Sequence, residues 1–153
     1  MSAQFIVQSA DALQAWSRDP DAARDNLRTI FAGLKHDESI SEWAAEALEN
    51  CGPPHESDLD FLQQATAELE CNTAYWACKL IGRLGSKSNS LQDVLVSVLL
   101  SEKASLATHQ QAALALASIG KLTTATRKAL EQTTNSTDPR LARISTQALG
   151  SES

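Results

Sequence analysis

Long apolar runs are missing from this chain of 153 residues. No stretch approaches the roughly 18 apolar residues of a membrane-spanning helix, so no span through a bilayer is expected. The opening MSAQFIVQSADALQAW has neither a basic start nor an extended apolar segment, which argues against a secretory leader. Cysteine is scarce. Cys51, Cys71 and Cys78 are an odd number without a framework spacing, so reduced thiols in a reducing compartment, the cytoplasm, are expected. Basic residues are outnumbered, 13 Lys and Arg against 19 Asp and Glu, for a net charge of −6. That balance disfavours nucleic acid as a partner, because phosphate-backbone binding gathers Lys and Arg on one face. Strand signals are nearly absent. VLVSVLL at 94–100 is rich in β-branched residues, but its three-and-four spacing suits a helix. There is no P-loop, no dinucleotide fingerprint and no G-x-S-x-G.

The chain is rich, instead, in self-similarity. WAAEALENCG at 43–52 returns as WACKLIGRLG at 76–85 and as QAALALASIG at 111–120. Aligned on their small residues, the copies begin at Ile40, Thr73 and Thr108, and a fourth begins at Leu141. The steps are 33, 35 and 33 residues. A period between roughly 20 and 50 residues is the mark of a solenoid or array. Within each copy the apolar residues recur at three and four, the pattern of a helix with one buried face. Those faces are Ile40, Trp43, Ala44, Ala47, Leu48 and Cys51; Trp76, Ala77, Leu80, Ile81 and Leu84; Ala112, Ala115, Leu116 and Ile119; and Leu141, Ile144, Ala148 and Leu149. The alanines point to close helix–helix approach. Gly52, Gly85 and Gly120 are placed to end three of the helices in a left-handed conformation.

Further helical stretches lie between the copies, at 22–35, 58–70, 91–101 and 123–133, so each unit reads as a first and a second helix. Ser39 with Glu42 and Ser90 with Asp93 have capping-box spacing. Asp19-Pro20 and Asp138-Pro139 each offer an N-cap followed by a first-turn proline. Asn72 is placed to cap the helix at 73. GPPHES and GSKSNS read as turns between units, and residues 9–18 as a short helix covering one end of the stack.

DPRLARISTQALG at 138–150 and WACKLIGRLG at 76–85 resemble the HEAT-like repeat family, in the short form found in phycobilisome-lyase-type repeats. The resemblance spans about residues 22–153. The chain departs from that pattern at Ser41, Ala74, His109 and Ala142, where an arginine is expected. The resemblance implies an all-α, right-handed α-α superhelix: one domain of about four two-helix repeats behind an N-terminal cap. The cap would cover about 1–20 and the repeats about 21–52, 53–85, 86–120 and 121–153. It also implies that the second helices line the concave side.

Opposite the apolar face, the second helices carry Glu42, Ala45, Glu46 and Glu49; Tyr75, Cys78, Lys79 and Gly82; Gln110, Ala113, Leu114 and Ala117; and Arg143, Thr146, Gln147 and Gly150. The expected partner-binding groove comprises Glu42, Glu46, Glu49, Tyr75, Lys79, Gln110, Leu114, Arg143 and Gln147. Three glutamates at i, i+4 and i+7 repel one another by about 0.2–0.5 kcal/mol per pair, which a basic segment of a protein or peptide partner would offset. Tyr75 and Leu114 would be its apolar anchors. Charged helix faces are usually just solvated, and single exposed apolar residues are common.

Chemical candidates are few. His36, His55 and His109 are scattered. His55-Glu56 is a single dipeptide in a turn, whereas the HEAT-like di-iron hydroxylases use several such pairs on symmetric helices, so no metal or other cofactor is expected. Cys51 falls on a buried face, Cys71 precedes a helix and Cys78 is read as outward. Trp43, Trp76 and Ile144 share one repeat position, which marks packing rather than base stacking. The reading is a non-catalytic interaction module. Its rivals are an enzyme or accessory subunit of the HEAT-like lyase type acting on a small molecule, and a spacer without a ligand.

Overall fold

The structure, a computed structural model, describes residues 3–150, with side chains from residue 10 onward. Every regular element among the described residues is helical, and none is long and apolar enough to cross a membrane. The chain divides into two compact units, one ending at Asp58 and the other beginning at Leu59.

The first unit holds α1 (Ala3–Trp16), α2 (Pro20–Asp25), α3 (Leu27–Gly33) and α4 (Glu38–Asn50). Asp19 caps α2 as its sequence context predicts, its carboxylate accepting from the Ala22 N–H at 3.2 Å with Pro20 opening the helix. The helix expected over 22–35 is instead two. Asn26 parts them: its amide donates to the Ala22 carbonyl at 2.7 Å, and its backbone leaves the helical region at φ −126°, ψ 26°. The Ser39–Glu42 capping box does not form either. Asp37 stands two residues earlier and accepts from the Ile40 N–H at 3.0 Å, placing a carboxylate at the positive end of the helix. The terminal helix expected at 9–18 is present as α1, which starts earlier and packs along α4. Leu13, Leu27, Ile30, Phe31, Ile40, Ala44 and Leu48 form the core of this unit, while Trp43 is only half-buried.

The second unit holds α5 (Leu59–Ala65), α6 (Thr73–Arg83), α7 (Gln92–Leu99), α8 (Leu106–Ile119), α9 (Thr124–Thr133) and α10 (Pro139–Gly150). Consecutive helices pair, α5 with α6, α7 with α8 and α9 with α10. Across the pairs α8 lies against both α6 and α10, and α7 packs on α9. The core is Leu62, Leu80, Ile81, Leu95, Leu116 and Leu130, with Ile144 and Ala148 from α10.

Three boundaries differ from expectation. α5 stops at Ala65 rather than 70, where Thr66 turns its hydroxyl onto the Gln63 carbonyl at 2.6 Å. A short 3₁₀ turn follows, and Cys71 and Asn72 take left-handed φ values of 57° and 59°. In that conformation Asn72 makes no side-chain cap to α6; the Ala74 N–H reaches back to the Glu68 carbonyl at 2.8 Å instead. Nor does Ser90 cap α7, because residues 85–91 are wound as a 3₁₀ segment that ends directly on the helix. Asp138 does cap α10, accepting from the Leu141 N–H at 2.8 Å. Gly52, Gly85 and Gly120, which follow α4, α6 and α8, all have positive φ, at 73°, 58° and 94°.

Candidate functional site

The nine residues expected to share a groove are divided between the units. Glu42, Glu46 and Glu49 are exposed on α4 of the first unit, with Ala45 half-buried among them. The remaining six lie in the second unit, on α6, α8 and α10.

Of those six, the structure brings Lys79 and Leu114 together. They border an open hollow of about 230 Å³ between α6 and α8, lined also by Cys78, Gly82, Arg83, Gln111, Ala115 and Ser118. The helices come this close because Gly82 has no side chain. A Cβ there would sit 3.0 Å from the Ala115 Cα. Ser118 fixes the approach by donating its hydroxyl to the Gly82 carbonyl at 2.8 Å. Leu114 is 38% exposed, one of the few large apolar side chains left open to solvent among the described residues. Lys79 lies with its ammonium 5.1 Å from the Trp76 ring centroid and 5.7 Å from that of Tyr75, within cation–π range of both. Tyr75 is half-buried and meets Trp76 edge to face, their centroids 5.2 Å apart. Arg143 and Gln147 are exposed on α10.

Three outward assignments are corrected. Gln110 is 9% exposed and is a structural link: its amide donates to Asp138 at 2.9 Å, tying α8 to the cap of α10. Ala113 and Cys78 are both fully buried. The helical wheel assumes one buried side, but α8 is enclosed by α6, α7 and α10 and has only a narrow open strip. Burial also pushes the Cys78 thiol from 9.0 up to about 12, so it stays protonated and is no nucleophile at neutral pH. Cys51 is buried, as expected, and Cys71 is exposed.

His55 and His109 make local contacts. A ring nitrogen of His55 is 2.7 Å from an Asp25 carboxylate oxygen, and one of His109 is 2.6 Å from the Ser101 carbonyl. Among the described residues no three His, Cys, Asp or Glu side chains are grouped to hold a metal ion. A second open hollow, about 420 Å³, escaped the sequence reading. It lies between α7 and the segment after α5, against Gln63, Thr66, Leu69, Val94 and Val98. It arises where α5 stops short, a boundary that the apolar spacing through Leu69 conceals. No charged side chain lines it.

No protein-family model matches the chain, and no curated protein sequence matches it significantly.

Proposed function

We propose that this chain is a non-catalytic, cytoplasmic interaction module built from HEAT-like helical pairs, and that it holds a protein or peptide against its second helices. The observation that carries the reading is the hollow under Leu114. A volume of about 230 Å³ is smaller than the roughly 300–1,000 Å³ typical of small-molecule sites, and it suits one inserted side chain. Gly82 and Ala115 in its lining supply shape and no reactive group. Tyr75 is of the residue type enriched among those that dominate binding energy, and the exposed Leu114 adds apolar area beside it. The basic segment expected from the glutamates of α4 is a matter for the first unit and is not carried over to this hollow.

The second reading, an accessory subunit handling a small molecule, draws on the larger hollow beside Leu69 and Val98. Its uncharged lining can hold an apolar group but offers no acid–base pair.

Replacing Tyr75 and Leu114 together with alanine tests the first reading. Partner capture from the host's lysate is expected to fall by more than about tenfold, with helicity by circular dichroism unchanged. Undiminished capture of the same protein by a well-folded double variant would refute it. A small molecule retained in native mass spectrometry and released by Val98→Trp would favour the second reading.

A further inference from the structure

We propose that the hollow between α7 and the segment after α5 takes a small uncharged molecule with an apolar body and one polar edge that both donates and accepts hydrogen bonds, as a carboxamide does. This rests on the second reading, of that hollow as a small-molecule site, and names the class of its ligand. It is independent of the peptide reading of the hollow between α6 and α8.

The volume, about 420 Å³, falls within the roughly 300–1,000 Å³ of small-molecule sites. The lining mixes apolar and polar side chains in a regular way. Val94, Ser97, Val98 and Ser101 fall at spacings of three and four along α7 and the turn after it, so one wall carries two apolar side chains and two hydroxyls. Val98 is buried and Val94 half-buried, and the half-buried Leu69 lines the hollow from the segment after α5. These three supply an apolar surface for the body of the ligand. The two hydroxyls differ in the hydrogen bond they have left to make. Ser97 donates to the Asp93 carbonyl at 3.1 Å, so toward a ligand its oxygen accepts. Ser101 accepts from the Lys103 N–H at 3.3 Å, which leaves its hydrogen to donate. Gln63 and Gln64, at the end of α5, add exposed carboxamides to the lining, and each of these can donate and accept. A ligand edge with both functions is matched by this set. An ionised ligand group is not, since no charged side chain lines the hollow. Moving an ion from water onto such a lining forfeits hydration without a compensating pair.

The test uses the full chain with β-naphthamide and β-naphthoate, which share a ring system and differ in carrying a carboxamide or a carboxylate. Each is titrated at neutral pH into isotope-labelled protein, and the backbone amide shifts in proton–nitrogen correlation spectra give both the affinity and the place of binding. The carboxamide is expected to bind at least about tenfold more tightly than the carboxylate and to shift residues 63–69 and 94–101. Ser97→Trp, at an exposed position of α7, lays a ring across the hollow and is expected to abolish binding. Gln63→Leu/Gln64→Leu keeps the size of both side chains without their hydrogen bonding, and is expected to weaken the carboxamide about threefold or more. A carboxylate that binds as tightly or more tightly, and is lost in Ser97→Trp, would overturn the uncharged class and leave the hollow a small-molecule site. Carboxamide affinity unmoved by the glutamine replacements would overturn the assignment of the polar edge, with the same site intact. Shifts elsewhere in the chain, binding indifferent to Ser97→Trp, or no binding of either compound would each overturn the proposal together with the small-molecule reading.

Discussion

Gln92 joins the start of α7 to the start of α9 in the second unit. It is 2% exposed, and each polar atom of its amide is matched. The NH₂ donates to the Asn89 side chain and to the Lys121 carbonyl, the latter at 2.7 Å. The oxygen accepts from the Thr123 N–H at 3.0 Å and from the Thr126 hydroxyl at 2.8 Å. One side chain at the start of α7 thereby organises the start of α9. A buried polar group so satisfied is favourable, whereas removing it strands its partners. Gln92→Ala is expected to cost about 2–4 kcal/mol, from a cavity and two unpaired backbone groups. Urea unfolding measures it. A loss below about 0.5 kcal/mol would mean that water replaces the amide at no penalty. The apolar spacing at 123–133 points to Ala125 as a core position, but Ala125 is exposed and Thr126 is buried in its place. A threonine reads as polar, and only its partner 34 residues away explains its burial.

At the scale of the element, α6 and α8 are held apart by almost nothing. Gly82 shares its repeat position with Glu49, Ala117 and Gly150, so the alignment alone does not mark it as special. The structure does, because Ala115 backbone fills the space a methyl group would need. Two effects compete in Gly82→Ala. Helix propensity favours alanine by about 1 kcal/mol. Overpacking against a backbone atom that cannot swing aside costs about 1–3 kcal/mol. Separation of the helices also lengthens the bond from Ser118 to the Gly82 carbonyl. The clash should win, with a net loss of about 1–2 kcal/mol and a weaker hold on any peptide in the hollow. A variant that melts higher than the parent would show that α6 and α8 are free to separate. The ends of the elements follow a related logic. Caps near in sequence, such as Asp19 and Asp138, were legible from residue type. Asn72 was not, since its left-handed backbone depends on how Glu68 and Ala74 meet across the turn.

At the scale of the whole molecule, charge is unevenly spread. Eleven Asp and Glu and four Lys and Arg precede Leu59, while eight and nine follow in the rest of the chain. The net charge of −6 therefore describes the first unit and misrepresents the second, which is nearly balanced. Each unit has a core of its own, and the large buried side chains of the second, from Leu62 to Ile144, all come from within it. A fragment of residues 59–153 is accordingly expected to be helical and to unfold cooperatively, with a single sigmoid in both circular dichroism and Trp76 fluorescence. Helicity without a cooperative transition would mean that the second unit does not fold on its own.

The sequence by itself determined that the chain is helical, that the helices recur with a period near 33, and which faces are apolar. These properties are local: spacing at three and four selects a buried face wherever the helix packs. It also marked Leu114, Lys79 and the positive-φ glycines. Only the tertiary structure decided which outward positions remain outward. Gln110, Ala113 and Cys78 lie opposite the apolar stripe of their own helices, yet neighbouring helices cover them. Burial on a second or third side is set by residues distant in sequence, and no periodicity within one helix encodes it. For the same reason the hollow between α6 and α8 exists only once Gly82 meets Ala115.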